Sequence, residues 1–105
     1  MFSNDILAKI EENMESLKKY GVKKIGLFGS YATNQQTEKS DIDFLVKFNK
    51  GQKTYDNFFD LKFFLEDLFD RKIDLVTPEY LKPRLKNNIL EQVKYAKEEK
   101  ASNIS

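Results

Sequence analysis

The apolar residues of this chain change their spacing as the sequence proceeds, and that change restricts the fold more than any other feature. From about residue 4 to residue 20 they fall at Ile6, Leu7, Ile10, Met14 and Leu17, with charge between them. That is the spacing of an amphipathic helix. Gly21 follows, where a helix-ending residue with positive φ is expected. Lys23 to Phe28 reads as a short strand, broken by Gly29-Ser30. Residues 31–40 are small and polar; the first few are expected to start a short helix and the rest a loop. Asp41 to Phe48 is the clearest strand, with Asp41, Asp43 and Leu45 on one face and Ile42, Phe44 and Val46 on the other. After a turn containing Gly51, Thr54 or Asp56 can cap a helix running to about Asp70. Lys72 to Thr77 is a third strand, read with Ile73 and Val76 on one face and Asp74 on the other. Pro83 suits the first turn of a last helix, where Leu85, Ile89, Val93 and Ala96 recur at helical spacing. The order α-β-(short α)-β-α-β-α makes the class α/β.

A length of 105 residues fits one domain, taken as 1–105 with a polar, frayed tail at 98–105. Hydrophobic residues at 40% and charged residues at 33% suit a globular domain rather than a disordered chain. No apolar run is long enough to span a membrane, and the N-terminus has no signal-peptide pattern, so the expected location is cytoplasmic. Eighteen basic and 17 acidic residues leave a net charge of +1, which gives no support for direct nucleic-acid binding. Basic charge is mostly Lys, with Arg only at Arg71 and Arg84, a balance that reads as compositional drift rather than function.

The chain has no Cys and no His. This rules out a thiolate zinc site, a cysteine nucleophile, Ser-His-Asp catalysis and histidine-held metals within it. A bound metal must then be a hard, oxygen-liking cation such as Mg²⁺, and acid–base chemistry must use carboxylates, Lys or Tyr.

Three features fit such chemistry. Gly29-Ser30 directly follows a strand; Gly permits close approach of a phosphate, and a helix starting there would add free N–H groups and its positive end. An ordinary turn with a Ser N-cap would look the same. Asp41 and Asp43 share one face of a strand, where like charges repel unless a divalent cation lies between them; a solvated strand face is the plainer alternative. Asp74 sits alone in an apolar strand, a poor place for Asp unless it has a partner or lies at an edge. If the strands bearing Asp43 and Asp74 are neighbours, three carboxylates converge opposite a phosphate-binding turn. That is the equipment of two-metal phosphoryl or nucleotidyl transfer.

Gly-Ser, then residues 31–40, then Asp-Ile-Asp, then the later Ile-Asp-Leu resembles the signature of the polymerase-β-like nucleotidyltransferase superfamily. The stretch GLFGSYATNQQTEKSDIDFLVKF is similar to the minimal nucleotidyltransferase (MNT) branch, and the resemblance extends through KIDLVTPEYLKPRL, covering roughly residues 4–97. It implies a small fold with a short mixed sheet of about three strands flanked by helices. It also implies that Gly29 and Ser30 hold the nucleotide phosphates, and that Asp41 and Asp43 bind Mg²⁺, with Asp43 bridging two ions. Asp74 would bind the catalytic ion and activate the acceptor hydroxyl. One departure stands out: many relatives carry Arg-Gly where this chain has Thr33-Asn34.

MNT proteins are commonly paired with a helical HEPN ribonuclease toxin and act as its type VII antitoxin, moving AMP from ATP to a tyrosine of the toxin. The resemblance therefore implies a protein adenylyltransferase with ATP as substrate and a HEPN-family toxin as partner. Two other readings stay open. One is transfer to a small molecule such as an aminoglycoside; the other is a catalytically degenerate antitoxin acting by contact. The helix at 54–70 bears on the partner: its aromatic residues Tyr55, Phe58, Phe59, Phe63, Phe64 and Phe69 occupy more of its surface than one core-facing stripe needs. They are either buried all round or partly exposed as a partner surface.

Overall fold

The computed structural model describes residues 1–97, so the tail expected at 98–105 lies outside the described residues. The elements are α1 (Ser3–Glu12), α2 (Met14–Lys19), β1 (Val22–Phe28), β2 (Ile42–Phe48), α3 (Tyr55–Phe69), β3 (Ile73–Val76), a 3₁₀ turn at Pro78–Tyr80, α4 (Pro83–Gln92) and β4 (Lys94–Tyr95). The strands form one sheet in the order β3-β2-β1-β4. β1 pairs antiparallel with β2 and β4, and β2 pairs parallel with β3. The fold is a small α/β one with a mixed sheet flanked by helices.

The sheet has four strands rather than about three. The fourth comes from residues that the apolar spacing assigned to the last helix. α4 stops at Gln92, and residues 93–95 cross β1 at Gly26. A Cβ at Gly26 would come within 2.6 Å of Val93 Cγ2 and 2.9 Å of Tyr95 Cδ1, so the bare backbone of β1 is what lets this segment lie down. The Ala96 N–H then donates to the Ile25 carbonyl at 3.0 Å. Pro83 does open α4, as expected.

The N-terminal helix is two helices. Asn13 separates them: its side-chain amide donates to the Lys9 carbonyl at 2.8 Å. That local bond competes with the helical ladder, as short polar side chains do. Gly21 takes φ 82° after α2, as a helix stop of this kind requires. Thr54 caps α3, accepting from the Asn57 N–H at 3.1 Å.

One face of the sheet holds the core. Ile25, Leu27, Ile42, Phe44, Val46, Ile73 and Leu75 pack against Ile6, Ile10 and Leu17 of α1 and α2 and against Leu61, Leu65 and Phe69 of α3. Each large apolar side chain so buried is worth about 1.5–3 kcal/mol. By alternation, Asp43 and Leu45 of β2 and Asp74 and Val76 of β3 share the other face. Val76 thus lies with Asp74, not with Ile73, whose partner on the core face is Leu75. No residue of α4 is buried, and among the described residues no helix is long and apolar enough to cross a membrane.

Candidate active site

β2 begins beside two other chain segments. Its Asp43 stands across from Phe28, the last residue of β1, and across from Asp74 on β3. The parallel register therefore brings the two strand aspartates side by side on the face away from the helical core. The Asp43 carboxyl is pushed from 3.8 up to about 6. Burial is the main cause; the Asp74 and Asp41 charges add to it, and a side-chain hydrogen bond with Asp74 completes it. Two carboxyl groups can hydrogen-bond only if one carries a proton, so Asp43 holds a proton against Asp74 below about pH 6 and is ionised above it.

Gly29 sits directly against Asp43. Its φ is +77°, and a Cβ built on it would collide with the Asp43 carboxylate. Glycine is thus required twice, by its backbone and by the space. Ser30 follows at the head of a single turn in which the Ala32 and Thr33 N–H groups donate to the Gly29 carbonyl at 3.0 and 3.2 Å. The helix expected here does not form. Asn34 adopts φ 59°, and the Thr33 hydroxyl donates to the Gly29 and Ser30 carbonyls at 3.3 Å each, which closes the turn on itself. Any grip on phosphate must come from turn N–H groups and the Ser30 hydroxyl, without a helix end behind them. Tyr31 and Ala32, both buried in the core, hold the turn in place.

Asp41 lies just before β2 and is exposed; its charge reaches Asp43. The strand start is fixed by the Ile42 N–H, which donates to the Lys72 carbonyl at 3.1 Å. Arg71, given no role from sequence, donates from Nη1 to the Glu38 carbonyl at 3.0 Å and ties the loop ahead of Asp41 to the start of β3. Its place three residues before Asp74 was the available signal. The structure thus brings Gly29, Asp43 and Asp74 into contact range, with Ser30 and Asp41 on the adjoining segments.

Among the described residues no three carboxylates form a ready cage for a metal ion. Mg²⁺ does not need one, since it keeps several waters and binds through one or two carboxylates plus substrate phosphates. The all-oxygen donor set of Asp43 and Asp74, held together under mutual repulsion, fits that cation.

Residues 7–96 match the nucleotidyltransferase domain family. The chain belongs to that family. A Methanocaldococcus jannaschii protein assigned as a protein adenylyltransferase, MJ0128, is 47% identical to this nucleotidyltransferase over 92 residues, 87% of this chain and 91% of the relative. A solved structure of a protein assigned as a minimal nucleotidyltransferase superposes with a TM-score of 0.76 at 31% identity, covering 90% of this chain and 95% of that one. The same fold recurs, at 21% identity and a TM-score of 0.60, in a complex of a tri-AMPylated Shewanella oneidensis HEPN toxin with an MNT antitoxin; that match covers 92% of this chain and 76% of the other. The nucleotidyltransferase described here is therefore of the minimal, MNT type.

Proposed function

We propose that this nucleotidyltransferase moves AMP from ATP to a hydroxyl, a tyrosine, of a partner protein of the HEPN toxin kind, and that it serves as the antitoxin of that partner in the cytoplasm. The observation that carries the reading is the register Asp43 against Asp74 above Gly29. The relatives support it: MJ0128 is assigned to adenylyl transfer onto protein, and a related fold holds an AMPylated toxin.

In this reading the Gly29-Ser30 turn binds the triphosphate, with Ser30 donating its hydroxyl to a phosphate oxygen. Asp41, Asp43 and Asp74 would hold Mg²⁺, which would neutralise charge on the phosphates and favour attack on the α-phosphorus. Asp74 accepts the proton of the acceptor hydroxyl as the new P–O bond forms and pyrophosphate leaves. The acceptor comes from another protein, since Tyr31, the tyrosine next to the turn, is locked in the core.

Intact-mass spectrometry on a co-expressed helical partner, with ATP and Mg²⁺, tests this. The wild-type chain should add one or more AMP groups. Asp74→Asn should add few or none, yet bind ATP nearly as well and still co-purify with the partner, because proton removal acts in the transition state. A wild-type chain that silences the partner while adding no nucleotide would establish the contact-only antitoxin instead. Normal transfer by Asp74→Asn would remove Asp74 from the site.

A further inference from the structure

Helix α3 buries Leu61, Leu65 and Phe69 and turns other aromatic residues outward. Tyr55, Phe59 and Phe63 are four residues apart, so they stack along one ridge of the helix. Their ring centroids are separated by 4.8 Å and 6.4 Å in succession. Tyr55 is 80% exposed and Phe63 59% exposed. At the N-terminal end of the ridge, Lys53, Tyr55, Phe58, Phe59 and Tyr80 line a cleft of about 320 Å³. Tyr80 is itself 73% exposed; Lys53 sits 4.5 Å above its ring and is ion-paired to Glu79. A continuous aromatic ridge ending in a cleft is costly to leave in water and is the form of surface that receives an amphipathic helix.

Charge selects the occupant. At about 100° per residue, Asp56, Asp60 and Asp67 form the next ridge beside the aromatic one, and all three are exposed. Lys62 is the only cation on α3. A second copy of this chain docked antiparallel would set the acidic ridge against itself, which costs free energy. A helix carrying Lys or Arg beside its apolar seam meets the ridge with opposite charge.

The geometry points to α3 as the docking surface for a basic amphipathic helix of the protein that receives the nucleotide, with one large apolar side chain of that helix seated in the Tyr55–Tyr80 cleft. This rests on the proposed function only for the partner's identity. α3 packs on the sheet face opposite to Asp43, so a helix docked on its outer ridge lies on the other side of the sheet from the candidate site, and binding and transfer are separable.

The test uses the intact chain without nucleotide, so its result is independent of catalysis. Two fluorescent peptides of about 18 residues, five helical turns, share a Leu/Phe seam. One carries Lys and Arg beside the seam, the other Glu. Fluorescence anisotropy should show the basic peptide binding at least about tenfold tighter than the acidic one. Phe59→Ser/Phe63→Ser should weaken the basic peptide by about tenfold or more, and Asp60→Lys/Asp67→Lys should reverse the preference. Circular dichroism melts establish that each variant is folded; the charge-reversal variant, altered only at exposed positions, keeps the test valid if the Phe variant unfolds. Equal binding of both peptides, binding of neither, or a preference untouched by charge reversal would overturn the proposal. So would a dimer, seen by sedimentation, that the charge-reversal variant alters, since it would assign the ridge to a second copy.

Discussion

Replacing Asp43 with Asn should abolish nucleotidyl transfer and, at neutral pH, stabilise the fold. The loss of transfer is expected to reach about a thousandfold or more, because a carboxylate holding the proposed cation would contribute several kcal/mol of charge stabilisation in the transition state. The gain in stability follows from the direction of the Asp43 shift, from 3.8 up to about 6. The folded state holds this proton more tightly than the unfolded chain. Its contribution is therefore fully present below about pH 4 and is lost as pH rises through about 6. Above that, wild type carries a half-buried carboxylate repelled by Asp74 and Asp41, and the Asn variant does not. Thermal melts from about pH 4 to pH 8 should show the variant's advantage growing from about pH 4 to about pH 6 and levelling above it. A variant less stable than wild type at pH 8, or one that still transfers at the normal rate, would remove Asp43 from the role given to it.

Gly29→Val should be the most damaging single change in the phosphate turn. The backbone at φ +77° costs a β-branched residue roughly 1–3 kcal/mol, and the new side chain would also run into the Asp43 carboxylate. The variant should lose ATP binding and melt at a lower temperature. Ser30→Ala keeps the backbone and loses one hydrogen bond to a charged group, about 1.5–3 kcal/mol, or roughly ten- to a hundredfold in affinity, with no change in melting temperature. Isothermal titration with a non-hydrolysable ATP analogue separates the two. Wild-type affinity in both variants would make the turn purely structural.

The site was more legible in the sequence than the sheet that carries it. Side-chain alternation alone puts Asp43 and Leu45 on one face of a strand, and the apolar run around Asp74 marks a second strand. Their register could not be read, because parallel pairing is decided by the packing of α3 between β2 and β3. The fourth strand was hidden because Val93 and Ala96 keep helical spacing; what turns that segment into a strand is the missing side chain of Gly26, far away in sequence. The absent helix after Ser30 has a local cause, the left-handed Asn34, and Asn is a residue that tolerates that conformation, though it does not announce it. The aromatic excess of α3 was visible from composition and spacing. That Tyr55 and Phe63 are the rings left outside depends on the angle at which the helix meets the sheet.

The proton that Asp43 holds below about pH 6 would make loading of the proposed site a protonic event. A nucleotide and cation loading as proposed would require Asp43 to ionise, and its proton would pass to solvent. Near pH 6 the heat of loading should therefore vary with the ionisation enthalpy of the buffer, with about half a proton released per site, and the dependence should fade by about pH 8. Acidification would oppose such loading by mass action.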